Sequence, residues 1–452
     1  MNYAADPAIA DTSLFSALSK SLRKDSRSIH NRLNSIAQDS QFVCEVAQSY
    51  DLPLVANERC GLWYIPPERL ADSVYFKSTD GHTSQWGFSL RRLNLHILDL
   101  VVSSGGIIIV DSTRRGKIMP DALSKTIPIW CAVINRAVFG EAPTTVFATS
   151  RAAVPESEHV QIESRLAGWT EAFCNSGIDI DKLKSLLQKP LRPVWITPND
   201  THWLPHTPLQ YPNFFPIVLC TASKMVLDGV ERGSGYSYVQ GAADDHEEWS
   251  LSITPGLFWA NKEVLVHASD AEIEEMLERG VLFDVSSSKK KESGSLEVAQ
   301  IGDTGIHIGN SLNATIPLAD IAAYGIIVNL SAAHVSTNTS QYLKGYMHMP
   351  LAAGKKGSRE FRVELPAILL FIKTEGVSKK TLFLCDTGSD FAVGAALAML
   401  SLYFDENANL STEDGVRVDK DLIRRRLIFI ISKLKVNPSR ATLQAVNAVL
   451  IK

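Results

Sequence analysis

The chain has 452 residues, 45% hydrophobic and 21% charged, and a formal net charge of −4. That length exceeds one ordinary core, so two or three domains are expected in a globular protein. The charge balance excludes a global basic field, and any nucleic-acid binding has to rest on local basic patches.

Taken from the N-terminus, MNYAADPAIADTSLF lacks the basic head and apolar stretch of a secretory signal. From Ser13 to Tyr50 apolar residues recur at helical spacing, predicting one helix with Lys20, Arg23, Lys24, Arg27 and Arg32 on its polar side. That face is either solvated or RNA-contacting, and Lys24 and Arg27 are the RNA candidates. Six cysteines (Cys44, Cys60, Cys131, Cys174, Cys220, Cys385) are scattered without CxxC spacing. This suits a reducing compartment, the cytoplasm or the nucleus, and argues against a zinc ribbon.

Near residue 74 a series of β/α units begins. "GGIIIVDSTRRGK" (105–117), "TTVFATS" (144–150), "VWITP" (194–198) and "FPIVLCTASK" (215–224) read as strands separated by helical stretches. Such alternation implies a mostly parallel sheet, whose ligands sit at the carboxyl ends of the strands. Those ends carry Asp111, Thr113, Arg114, Arg115, Lys117, Thr221, Ser223 and Lys224, a set suited to a phosphorylated substrate.

Two further stretches are dense in reactive side chains. Lys77, Ser78, Thr79, Asp80 and His82 crowd a glycine-containing turn that offers a cation, hydroxyls and a base. An Asp-Gly turn alone does not need that many functional groups. "YVQGAADDHEEW" sets Asp244, Asp245, His246, Glu247 and Glu248 together after a strand. Adjacent carboxylates can hold Mg²⁺ between diphosphate oxygens, and a carboxylate or histidine can accept a hydroxyl proton.

Residues 286–312 read as a connecting segment because "SSSKKKESGS" is polar and charged. It separates an N-terminal domain (1–285) from a C-terminal one (313–452). In the latter, "YGIIVNLS" and "YMHMPL" are predicted strands, and "SREFRVELPAILLFIKTEG" a helix broken or kinked near Pro366. "TLFLC" is the next strand, and two amphipathic helices end the chain. The longest apolar run, Ala392 to Phe404, is too short to span a membrane and reads as a core helix. The expected fold class is α/β throughout: a mixed α/β catalytic domain followed by a second α/β layer structure.

Between the last strand and its helix lies a loop of Cys385, Asp386, Thr387, Gly388, Ser389 and Asp390. The order of elements around it resembles the dual-specificity phosphatase fold, whose loop reads His-Cys-x-x-Gly-x-x-Arg. Cys385 and Gly388 match at that spacing, but Leu384 and Phe391 replace the histidine and the arginine. Without the arginine the phosphoryl group has no holder, which speaks against phosphatase chemistry. Three readings stay open for the loop: a phosphate site, a site for Mg²⁺ with phosphate, or a degenerate remnant. Cys385 reads as a small buried hydrophobe, and Lys355, Lys356, Arg359 and Arg362 in "GKKGSREFR" are the nearby cations.

"FKSTDGHTSQWGFSLRRLNLH", "DSTRRGK" with "MPDALSKTIPIW", "YVQGAADDHEEW", "CDTGSDFAVG" and "YLKGYMHMPLAAGKKGSRE" together resemble the initiator-tRNA 2′-O-ribosyl phosphate transferases over nearly the whole chain. The resemblance implies a C-terminal domain like a dual-specificity phosphatase. It implies transfer of 5-phosphoribosyl from phosphoribosyl pyrophosphate (PRPP) to the 2′-hydroxyl of adenosine 64 in the T-stem of initiator methionine tRNA. The mark would exclude the initiator from elongation. Under it, Lys77, Arg114, Arg115, Lys117 and Ser223 become PRPP-phosphate candidates and Asp244 and Asp245 candidate Mg²⁺ ligands. Asp80, His82, Asp244, Asp245 and His246 are the catalytic candidates, with His82 or His246 as base. Lys24, Arg27, Lys355, Lys356, Arg359, Arg424 and Arg425 are expected on the tRNA surface, grouped with Arg426. No membrane or protein partner is expected. The competing classes are a non-catalytic tRNA-binding module and a phosphatase acting on RNA or nucleotide ends.

Overall fold

The protein is described by a computed structural model over residues 21–79, 84–203, 210–233, 235–244, 249–282, 297–311, 323–332, 345–352, 354–405, 407–411 and 417–451. It divides into two units. One comprises Met1–Phe88, Ile97–Phe173 and Ile180–Lys289, and the other Ser89–His96, Cys174–Asp179 and Lys290–Lys452. Among the described residues, no helix is long and apolar enough to cross a membrane.

The first unit is built on a five-stranded parallel sheet of order β2-β1-β3-β5-β4. Its strands are β1 Leu54–Asn57, β2 Leu70–Val74, β3 Ile107–Asp111, β4 Leu191–Ile196 and β5 Phe215–Thr221. β3 lies at the centre, with Ala56 opposite Val110 on one side and Asp111 opposite Thr221 on the other. Every residue of β3 and β5 is buried. That explains their unbroken apolar runs, because a parallel sheet is covered on both faces. β1 and β2 precede the expected start of the series. They are four and five residues long and offer neither a long apolar run nor alternation. "TTVFATS" is not a strand. Pro143–Thr145 forms a tight turn in which the Thr145 hydroxyl binds the Ala142 N–H, and Val146 is 64% exposed.

The predicted first helix is interrupted. Residues 21–27 are helical, Ser28 is extended (ψ 124°), and its hydroxyl caps α1, Ile29–Tyr50, by accepting from the Asn31 N–H. Serine competes well for such N-cap positions, which is why the helical periodicity breaks there. Residues 13–20 lie outside the described residues. One face of α1 buries Leu33, Ile36, Val43 and Val46 against the sheet, each contributing about 1.5–3 kcal/mol of burial.

A second buried face of α1 is polar. Asn31, Ser35 and Asp39 hold the hairpin of β6 Val230–Arg232 and β7 Ser237–Val239. The Ser237 N–H donates to Asn31 Oδ1 (3.0 Å), the Val239 N–H to Ser35 Oγ (2.8 Å), and the Tyr238 hydroxyl to Asp39 Oδ1 (2.9 Å). Burial pushes the Asp39 carboxyl well above its ordinary value. β7 is thereby fixed by helix side chains as well as by its one strand partner, and it aims the loop that follows it.

The second unit has a sheet of order β11-β10-β12-β9-β8. Its strands are β8 Glu297–Gln300, β9 Ile306–Asn310, β10 Ile326–Asn329, β11 Tyr346–His348 and β12 Thr381–Cys385. All pairs are parallel except β8 with β9. From Glu297 onward, therefore, the expected connecting segment is part of a sheet. The helix α2, Gly354–Glu375, runs unbroken through Pro366. Pro366 is exposed on the helix surface, so the lost backbone bond is open to water. The helix α3, Phe391–Tyr403, touches α2, β12, α4 (Lys420–Lys433) and α5 (Arg440–Leu450), which accounts for its apolar residues on every side.

Candidate active site

The turn after β1, Asn57-Glu58-Arg59-Cys60, supplies residues that the motif reading passed over. Asn57 Nδ2 donates to Asp111 Oδ2 (2.8 Å) and to the Phe76 carbonyl (3.0 Å), while its Oδ1 accepts from the Phe76 N–H. It ties the ends of β2 and β3 together. Arg59 binds both oxygens of Asp111 through Nε (3.4 Å) and Nη2 (3.2 Å), and donates to the Ser112 carbonyl. Its Nη1 stands 3.0 Å from Asp244 Oδ1. Cys60 Sγ and the Ser112 N–H also donate to Asp111.

Asp111 is fully buried and Asp244 is 8% exposed. Burial pulls the Arg59 guanidinium down, but Cys60, Asp111 and Asp244 more than offset this and leave it above its ordinary value. Burial first, then Asp111, pushes the Cys60 thiol well up, so it acts as a donor rather than a nucleophile. One cation thus joins the end of the central strand to the acidic loop.

The described part of that loop, Gln240 to Asp244, is held from several elements. Gln240 Nε2 donates to the carbonyls of Arg114 (3.2 Å) and Lys117 (2.9 Å). Arg32 Nη1 donates to the Ala242 carbonyl (2.7 Å), the Ala243 N–H to the Tyr64 hydroxyl (3.1 Å), and Trp249 Nε1 to the Asp244 carbonyl (3.1 Å). Arg32 is consequently half-buried over the Trp249 ring instead of lying on a solvated helix face. Gly241 is at φ 65°, and a Cβ there would lie 2.6 Å from the Thr113 carbonyl oxygen. Gly241→Ala should cost about 1–3 kcal/mol through left-handed strain and the backbone clash. Calorimetry would detect this as a lower unfolding midpoint, and an unchanged midpoint would mean that the two loops are not fixed against each other.

The cationic loop after β3 meets the turn after β2. Lys117 Nζ binds Asp121 Oδ1 (3.1 Å), Thr79 Oγ1 donates to Asp121 Oδ2 (3.0 Å), and Thr126 Oγ1 donates to the Lys77 carbonyl (2.9 Å). Lys77, Arg114 and Arg115 are exposed, and the Arg115 methylenes lie over Gly229. Ser223 corrects an expectation. It is 1% exposed, and its hydroxyl is engaged with both the N–H (3.2 Å) and the carbonyl (2.9 Å) of Thr113. It braces the loop rather than meeting a phosphate. Thr113 Oγ1 and Thr221 Oγ1 are buried at the same strand ends without a hydrogen-bond partner. Such groups suit a ligand or water that completes them.

Asp80, His82, Asp245 and His246 lie outside the described residues, so neither candidate base is located. Of the expected metal pair, Asp244 faces Arg59. Among the described residues no group of three or more His, Cys, Asp or Glu is placed to hold a metal ion. The described donors alone do not fit a protein-held Mg²⁺.

In the second unit Cys385 ends β12 and is 2% exposed, with Sγ 3.9 Å from Thr387 Oγ1. The loop aspartates do not point at an anion. Asp386 Oδ1 accepts from the Ala332 N–H (3.3 Å). Asp390 Oδ1 accepts from the Ser439 N–H (2.9 Å) and the Thr442 hydroxyl, at the start of α5. Gly388, at φ 63°, brings the loop against the end of β9, where a Cβ would lie 3.2 Å from the Asn310 nitrogen. Thr387 accepts from the Ser389 N–H (3.3 Å) and hydroxyl (3.1 Å).

Lys356, Arg359, Arg424 and Arg425 are exposed, Lys356 near Glu360 (3.8 Å) and Arg424 against Asp421 (3.1 Å). The Lys355 side chain lies outside the described residues. Arg426 does not join this surface. It is 5% exposed and donates to the Phe404 carbonyl (2.7 Å) at the end of α3.

Comparison with known proteins sets this geometry in a lineage. A family model for the Rit1 N-terminal domain matches residues 22–282, and one for the Rit1 DUSP-like domain matches residues 345–450. An uncharacterized protein of Schizosaccharomyces pombe is 40% identical over 440 residues, covering 93% of this chain and 94% of that protein. The tRNA A64-2′-O-ribosylphosphate transferase of Saccharomyces cerevisiae is 35% identical over 497 residues, covering 96% of this chain and 94% of the relative.

Proposed function

The chain belongs to the Rit1 family, and from that membership we propose that it is a tRNA 2′-O-ribosylphosphate transferase acting on adenosine 64. Near full-length identity to a protein of that name supports the transferase and its tRNA substrate. We extend the reading to initiator methionine tRNA as acceptor, PRPP as donor and the cytoplasm as location. Six free cysteines support a reducing compartment.

The observation that carries the reading is that the described parts of the three dense stretches meet beyond the end of the central strand, with Arg59 joining Asp111 to Asp244. In the proposed step the 2′-oxygen of the acceptor bonds to C1 of the donor ribose. The bond from C1 to the diphosphate oxygen breaks, pyrophosphate departs, and the hydroxyl proton passes to a base. Arg114, Arg115 and Lys77 face the donor's phosphates, with Lys117 held beside them by Asp121. Magnesium, if bound, would supply charge neutralisation on the departing diphosphate.

The test incubates the protein with Mg²⁺, PRPP and unmodified initiator tRNA, then digests the RNA for mass spectrometry. A nucleotide heavier by one ribosyl phosphate, seen only with PRPP, supports the proposal. A folded, tRNA-binding protein that yields none overturns it in favour of a binding module. In the same assay Cys385→Ser should keep transfer within about twofold, since a buried thiol with no reacting neighbour contributes packing alone. A large loss without unfolding would give the cysteine a chemical role.

A further inference from the structure

The break at Ser28 sets the helical turn 21–27 beside the start of the helix Asp270–Arg279. Asp270 Oδ1 accepts from the Ser28 hydroxyl (2.9 Å) and the His30 N–H (2.8 Å). Between them is a groove of about 390 Å³ lined by Arg23, Lys24, Arg27, Ser28 and Asp270. A second groove, of about 490 Å³, shares Arg27 and Asp270 with the first and continues along Arg32, Trp249, Leu251 and Glu274. Arg23, Lys24 and Arg27 are exposed at the mouth. Arg32 and Trp249, deeper in, bind carbonyls of the 242–244 loop. Arg32 and Trp249 therefore stand between the groove and the backbone of that loop.

We propose that this double groove is where the acceptor RNA docks, one strand of an A-form stem lying along Arg23, Lys24 and Arg27 with its sugar edge toward Asp270 and Glu274. The inference rests on the transferase reading and adds where the acceptor sits. Cations at the rim match phosphates, which position a nucleic acid without reading its sequence. The carboxylates lining the same groove, half-buried Asp270 and exposed Glu274, repel phosphates but accept hydrogen bonds from hydroxyls. A-form RNA presents 2′-hydroxyls beside its phosphates in the shallow groove, and a DNA stem has none. The alternation of cation and carboxylate thus fits ribose-phosphate better than a plain polyanion.

The experiment measures binding of fluorescently labelled initiator tRNA to the full chain by anisotropy across a salt series. A matched RNA hairpin and DNA hairpin are run alongside. The double variant Lys24→Gln, Arg27→Gln should weaken tRNA binding at least tenfold at low salt. The slope of log affinity against log salt should become shallower by about two. Glu274→Ala should lower the preference for RNA hairpin over DNA hairpin. Wild-type affinity and slope in the double variant, or an unchanged preference in Glu274→Ala, would overturn the docking site. Should the double variant lose its fold, Lys24→Gln alone carries the comparison with a slope change of about one. If the wild-type protein binds through the groove yet transfers nothing, the transferase reading fails and the groove stands. Transfer with variant-insensitive binding removes the groove alone.

Discussion

Arg59→Ala should destabilise the first unit by about 3–5 kcal/mol, because it strips the shared cation from a fully buried Asp111 and a nearly buried Asp244. For a unit of this size that is a fall of roughly 10 °C in unfolding midpoint. Arg59→Lys should fall between the two, since an ammonium keeps the charge but not the fork that reaches Nε, Nη1 and Nη2 partners together. Equal midpoints for alanine variant and wild type would show that water replaces the guanidinium, and would remove the electrostatic hub from the site.

Arg115→Ala tests chemistry rather than folding. The side chain is exposed and lies over Gly229. Its loss should leave the unfolding midpoint within the range of an ordinary surface change, about 0.5 kcal/mol. Transfer should fall by about 10²–10³-fold or more, the loss expected when a donor to developing charge is removed. Steady-state kinetics with varied PRPP would locate the loss. A rise in KM alone means the arginine holds the donor in ground and transition states alike, and a fall in kcat means it acts on the departing diphosphate. Full activity would move the phosphate site away from this loop.

Much of this was legible in the sequence, and the exceptions have a common cause. The strands with long apolar runs, Ile107–Asp111, Phe215–Thr221 and Thr381–Cys385, are buried on both faces and announce themselves. The α/β class followed from their alternation with helices. Leu54–Asn57 and Leu70–Val74 are short and gain their identity only by pairing. Arg59 was invisible for the same reason. Its partners stand 52 and 185 positions away, and nothing local marks an arginine after a four-residue strand as the link between them. The partner of Asp390 was equally out of view, 49 residues further on at the start of the last helix. Ser223 looked like a phosphate ligand because hydroxyls at strand ends often are, and only the fold shows the Thr113 backbone filling both its roles. Residue type foretold which stretches would gather. It did not foretell which members would face the substrate and which would brace the loops.

The polar face of the first long helix has a consequence for how the chain is made. Asn31, Ser35 and Asp39 are buried, yet the strand that satisfies Ser35 comes 204 residues later. On a ribosome the helix emerges early with three side chains that cannot be buried alone without cost. Until residue 239 has left the exit tunnel it has no final seat, and the loop carrying Asp244 has not been synthesised. The site therefore becomes complete only late in the first unit's synthesis, when the loop carrying Asp244 reaches Arg59.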